Sequence, residues 1–186
     1  MLGISFSTLA QSDSLALRKN RIRYFNNFLA GGLLGDDGQG TGFSISTTHG
    51  IRLNRLALGA GIGYDSYYDW RVVPFFGSVS YDFAKIKSNA FFVQFNAGYS
   101  HAERVRREEW LTDYRDYGSK MVSSLIGYRI ATNKLSIYVA AGHKYQRANF
   151  SYSGLPAWSS FAAPGSLVTT EETMNRVVVQ IGFGLH

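Results

Sequence analysis

The sequence predicts an all-β fold: an eight-stranded antiparallel up-and-down transmembrane β-barrel, with a polar interior and a lipid-facing apolar exterior. Three observations carry that prediction. Segments along the whole chain alternate apolar with small or polar residues at a period of two, which marks strands whose faces meet different surroundings. The clearest is the last, where Val177, Val179, Ile181, Phe183 and Leu185 interleave with Val178, Gln180, Gly182 and Gly184. The second face carries Gly, Ser, Asn, Gln and charge. It is too polar to line a greasy cavity, so a closed barrel with lipid outside suits both faces. Finally, tight and long connections alternate, which gathers short turns at one end and long loops at the other.

Each element can be justified in order. Residues 1–10 read as the remnant of a secretory signal with cleavage after Ala10, and 11–20 as a polar periplasmic lead-in. The barrel is predicted over 21–186. Strand one runs from Ile22 to Leu34, although Tyr24-Phe25-Asn26-Asn27-Phe28-Leu29 supports either register. A turn-rich stretch at 35–40 leads to strand two at about 41–51, with Phe43, Ile45, Thr47 and Ile51 on one face. A tight turn at Leu53-Asn54-Arg55 opens strand three, where Leu56, Leu58, Ala60, Ile62 and Tyr64 alternate with Ala57, Gly59, Gly61, Gly63 and Asp65. A short loop holds Ser66 to Trp70. Strand four, about 71–83, turns Val73, Phe75, Val79, Tyr81 and Phe83 outward and Ser78, Ser80 and Asp82 inward. Pro74 cannot donate to a ladder, which predicts a strand end or a bulge there.

After a turn at 85–89, strand five alternates Phe91, Val93, Phe95, Ala97 and Tyr99 with Phe92, Gln94, Asn96, Gly98 and Ser100. A charged loop is predicted at about 102–118. Strand six, about 119–130, sends Val122, Ile126, Tyr128 and Ile130 outward and Ser123, Gly127 and Arg129 inward. Ala131-Thr132-Asn133-Lys134 turns into strand seven, whose outward row is Leu135, Ile137, Val139, Ala141 and Tyr145. The longest loop is predicted at about 151–171, before strand eight.

Composition agrees and excludes other classes. The 186 residues include 13 Phe, 12 Tyr, 3 Trp and 20 Gly but only 3 Pro, the balance of an all-β barrel. Mean hydropathy is −0.11. No apolar run reaches the roughly 18 residues of a membrane helix. Zero cysteines remove disulfides, thiolate metal sites and Cys nucleophiles together. The net charge of +6 is scattered over turns and one loop, without the basic stripe and stacking aromatics of a nucleic-acid binder. Attraction to anionic lipid headgroups is the use predicted for it.

The chain resembles small outer-membrane β-barrel proteins of the Bacteroidetes type, with an OmpA/OmpX-like architecture. Phe28-Leu29-Ala30-Gly31-Gly32-Leu33-Leu34-Gly35 and Leu58-Gly59-Ala60-Gly61-Ile62-Gly63-Tyr64-Asp65 carry the likeness. Ala97-Gly98-Tyr99-Ser100, Ile126-Gly127-Tyr128-Arg129 and Ile181-Gly182-Phe183-Gly184 add to it. The resemblance implies the outer membrane of a Gram-negative bacterium, both termini periplasmic, with outer-membrane lipid, lipopolysaccharide and the barrel-assembly machinery as partners. Many such barrels end in an aromatic, whereas this one ends Gly184-Leu185-His186.

Four groups of residues are site candidates. Asp65, Asp82, Arg129, Lys144 and Arg176 are predicted inside, where they pair and plug the lumen or line a narrow pore for small solutes. Arg104, Arg106, Arg107 and Trp110 in one long loop, and Trp158 and Phe161 in the other, are candidates for lipid phosphate, an extracellular protein or a glycan. Tyr64, Trp70, Tyr99 and Tyr145 near the long loops, and Tyr81, Tyr128 and Phe183 near the short turns, suit membrane interfaces. His143 faces lipid near the external end, as in barrel enzymes that deacylate lipopolysaccharide, but Tyr145 stands where the motif's Ser would be. No catalytic residue, metal site or cofactor is predicted. The function expected is structural or interaction-based, with a pore and a lipid A-modifying enzyme as rivals. A soluble lipocalin-like barrel is the structural rival.

Overall fold

The computed structural model describes residues 22–35, 40–105, 112–132, 134–153 and 167–185. Their strands are β1 (Ile22–Leu34), β2 (Gly42–Leu53), β3 (Leu56–Ser66), β4 (Trp70–Ile86), β5 (Asn89–Arg104), β6 (Thr112–Ala131), β7 (Leu135–Ser153) and β8 (Leu167–Leu185). Each pairs antiparallel with its neighbours in sequence, and β8 closes on β1 from Asn26↔Leu185 to Leu34↔Val177. Where β1 and β8 overlap, closure pairs both edges of the sheet, the condition for spanning lipid with β-structure.

Local chemistry sets the short-turn end. Asn54 and Lys87 adopt positive φ (55° and 56°) in the two-residue turns between β2 and β3 and between β4 and β5. Such turns match the strand twist, and Asn tolerates that conformation well. At the β6–β7 turn the Thr132 hydroxyl donates to the Leu135 carbonyl at 2.7 Å.

Facing decides the solvent on each side. Large apolar residues on every strand are exposed on the outer face, among them Phe75, Val79, Phe95, Ile126, Val139, Val179 and Ile181. Such a surface has no partner in water. In strand one the ambiguity resolves to Phe25, Asn27, Leu29 and Leu33 inward, with Tyr24 and Phe28 outward.

Three expectations need correction here. The long loops are shorter than predicted, because β5 extends to Arg104, β6 begins at Thr112, β7 reaches Ser153 and β8 starts at Leu167. A spanning strand needs only about 9–11 residues, whereas β6, β7 and β8 have 20, 19 and 19. The surplus stands beyond the apolar band, where alternation against lipid no longer marks the sequence. Second, the interior is mixed rather than polar. Leu29, Leu33, Val72, Phe92, Leu125, Tyr138 and Val178 join one buried apolar cluster inside the barrel. Pro74 lies within β4, at neither a strand end nor a bulge. The β3–β4 ladder skips from Ile62↔Phe75 to Asp65↔Val72 without changing register, so the missing donor falls in that gap.

Candidate functional site

The five charged residues predicted inside are all buried there, and they divide into two clusters. Toward the short turns, the fully buried Asp82 accepts from Arg52 Nη1 at 3.0 and 3.1 Å and from Arg129 Nη2 at 2.7 Å. Lys85 Nζ stands 3.8 Å from the same carboxylate. A bulge between Asp82 and Ala84 inserts Phe83 against β5 and reverses the parity of β4, which returns Lys85 to the side of Asp82. Three cations thus converge on one carboxylate.

Toward the long loops, Asp65 pairs with Lys144 Nζ at 2.5 Å and accepts from Gln146 Nε2 at 2.9 Å. The Tyr67 hydroxyl donates to Gln146 Oε1. Burial, and then the Asp65 charge, hold the Tyr67 phenol well above its usual pKa against the opposing pull of Arg176, so it stays a neutral donor. Arg176 lies over the Tyr67 ring at 5.7 Å. Its guanidinium fills the space beside Gly35, where a Cβ would meet Nη1 at 1.9 Å.

Between the clusters, Leu29, Phe76, Leu125 and Val178 meet Gln94, Asn96, Ser123 and Gln180 around a void of only about 20 Å³. Gln94 donates to Asn96 and Asn96 to Ser123, each at 2.9 Å. A void of that size holds about one water.

Other candidates fare differently. Trp70 is not interfacial: it is 1% exposed and points inward, where its indole N–H donates to Glu172 Oε2 at 2.6 Å. Trp70 shares the parity of Asp82 along β4, and beginning the strand one residue later concealed this. Arg104 is half-buried at the end of β5, with its guanidinium 4.7 Å from the Phe150 ring centre, rather than extended from a loop. Tyr81, Tyr99 and Phe183 are exposed on the outer face. Tyr64 rests on Phe43, Tyr128 on Phe91, and Tyr145 bonds Arg147 Nε. Arg106, Arg107, Trp110, Trp158 and Phe161 lie outside the described residues. Arg52 lies just past the strand two that the alternation predicts, and Lys85 falls in a predicted turn, so neither is a candidate from the sequence alone. The parity of Ser44, Ser46 and Thr48 points to Arg52.

His143 is exposed on the outer face, and its cross-strand partner on β6 is Ser124. Reading along β7 alone misses this serine, which the sheet supplies from the next strand. Neither side chain has a hydrogen bond among the described residues, so no carboxylate orients the imidazole and no base activates the hydroxyl there.

Comparison with solved structures agrees with this architecture. Neisserial surface protein A, at 14% identity, matches over 89% of this chain and 98% of its own with a TM-score of 0.60. The outer membrane protein OprG from Pseudomonas aeruginosa, at 11% identity, matches over 87% of this chain and 94% of its own with a TM-score of 0.51. No family model and no curated protein sequence matches the chain. The fold is therefore that of the small eight-stranded outer-membrane β-barrels.

Proposed function

We propose that this chain is an integral outer-membrane barrel of a Gram-negative bacterium, of the small Bacteroidetes kind, that neither conducts solutes nor catalyses a reaction. Both termini lie on the periplasmic side, and the β6–β8 extensions with the loops they carry project outward. Its role is structural or interaction-based. The barrel-assembly machinery inserts it, outer-membrane lipid surrounds it, and an extracellular protein or glycan meets the exposed end. The filled lumen carries this reading: two ion clusters and a layer of mixed apolar and polar side chains between them cross the interior, with a void of about 20 Å³ in that layer. The asymmetry of short turns and extended strands supports the orientation. The pore reading loses support because four of its proposed lining charges pair with one another, Asp65 with Lys144 and Asp82 with Arg129. Planar bilayer recording tests the proposal. The wild-type protein gives no stepwise conductance, whereas Leu29→Ala/Phe76→Ala/Leu125→Ala, which empties the middle layer, gives brief openings. Stepwise ohmic conductance from the wild type would overturn the closed-lumen reading.

A further inference from the structure

From the outer face of β6 and β7 we infer a binding strip for one phosphorylated, multiply acylated glycolipid of the outer leaflet, that is, for lipid A. The two strands present matched rungs: Ile126 beside Ala141, Ser124 beside His143, Val122 beside Tyr145. Above them a bulge between Gly118 and Met121 sets Lys120 alongside Arg147. The series therefore runs from aliphatic, through hydrogen-bonding, to aromatic and then cationic. A lipid read from its tails toward its headgroup has the same order: acyl chain, ester or amide carbonyl, sugar, phosphate.

The lower rungs open into a groove of about 560 Å³ on the outer face. Val79, Val93, Phe95 and Ile126 line it, and the small side chains of Ser124 and Ala141 leave it room. Lipid tails solvate every outward face alike, so the groove alone selects nothing. Selection comes from the polar rungs. Ser124 and His143 stand among the apolar residues of this groove without a hydrogen bond among the described residues, a state that is costly against lipid and that a lipid carbonyl would relieve. Four residues further along each strand, about 13 Å at strand spacing, come the cations. Lys120 has no ion pair among the described residues. Arg147 is half committed: Nη1 holds Glu171 at 2.9 Å and Nε bonds Tyr145, which leaves Nη2 for an incoming oxygen. Tyr99 stands across from Lys120 and donates to the Gly118 carbonyl at 2.5 Å, which fixes the aromatic wall of the upper rung.

This inference rests on the outer-membrane orientation proposed above but uses only the outer face, so a conducting barrel would leave it intact. Native mass spectrometry of the full chain in detergent, titrated with bisphosphorylated hexa-acylated lipid A, tests it. The wild type retains one lipid A. Lys120→Gln, Ser124→Val/His143→Val and Ala141→Phe each weaken retention about tenfold, the equivalent of about 1.4 kcal/mol, while Arg71→Gln, an exposed cation on β4, leaves it unchanged. All five substitutions lie on the outer face and leave the interior packing alone, and the gel mobility of the folded barrel checks each of the four variants. Equal retention by all variants would overturn the strip. So would phosphatidylglycerol held as tightly as lipid A, or fully dephosphorylated lipid A held as tightly as the bisphosphorylated form.

Discussion

Asp82→Ala removes the one carboxylate on which Arg52, Arg129 and Lys85 converge. The side chains of Arg52 and Arg129 are 16% and 10% exposed, so neither cation can turn fully to water once the carboxylate is gone. Breaking a buried ion pair from one side costs about 3–5 kcal/mol. Lys85, at 38% exposed and 3.8 Å, adds at most about 1 kcal/mol to what is lost. Asp82→Asn keeps the shape and one acceptor but loses the charge, and charge-assisted bonds are about twice as strong as neutral ones, so its cost falls near 2 kcal/mol. Adding Arg129→Met to Asp82→Ala removes a stranded cation and recovers about 1–2 kcal/mol. The assay is urea unfolding of the protein refolded into phospholipid vesicles, followed by tryptophan fluorescence. A loss below about 1 kcal/mol for Asp82→Ala, or no difference between the single and double variants, would mean that water screens these charges. The closed lumen would then be refuted along with the energetics.

Three further outcomes follow. Trp70→Phe removes the indole donor to Glu172 and costs about 1.5–3 kcal/mol in the same urea assay; with Trp110 and Trp158 replaced by Phe, Trp70 emission resists quenching by brominated lipid, and strong quenching would return it to the interface. Gly31→Ala places a Cβ 1.9 Å from the Val179 carbonyl oxygen across the β1–β8 seam, forcing the strands apart at a cost of about 1–3 kcal/mol. A variant with wild-type stability would contradict the closure geometry. Expression of the wild type, or of His143→Ala, leaves the mass of cellular lipid A unchanged, and loss of an acyl chain with the wild type alone would establish catalysis.

Strand count and facing were legible because lipid imposes a constant rule on one side of every strand. Phe91 to Tyr99 and Val177 to Leu185 announce their faces without help from tertiary structure, and parity alone places Asp65, Asp82, Arg129, Lys144 and Arg176 inside. Legibility fails where that rule stops applying. Beyond the apolar band, Thr112–Gly118 and Ser151–Ser153 are strand, yet charged, aromatic and small residues follow one another there without the apolar alternation that marks the rest. It fails again where a single residue changes parity, as Phe83 does, because the bulge that aims Lys85 at Asp82 leaves no trace in composition. Pairings between distant strands are the third kind of loss. Ser124 beside His143 follows from the β6–β7 register, and periodicity along either strand is silent about register.

The mixed interior raises the question of what decides which face turns inward, since Phe92, Leu125 and Val178 are as apolar as many residues on the outer face. Hydrophobicity cannot make the choice when lipid waits on one side and a packed lumen on the other. The polar groups make it. A one-residue slip of a strand would turn its whole inward row out to lipid, and each such row carries a group that lipid penalises: Asn27, Ser44, Asp65, Asp82, Gln94, Arg129, Lys144 and Gln180. Charges on the lipid face cost about 2–4 kcal/mol at the bilayer midplane for Arg or Lys. The inward charges thus specify register as well as plugging the lumen. Replacing Asp82, Arg52 and Arg129 together with Met tests the point, because it removes the penalty while keeping the volume. The triple variant is expected to match or exceed the wild type in urea yet refold into more than one species, seen as several amide resonances per residue at the short-turn end. A triple variant that refolds to one set of resonances would show that packing alone sets the register.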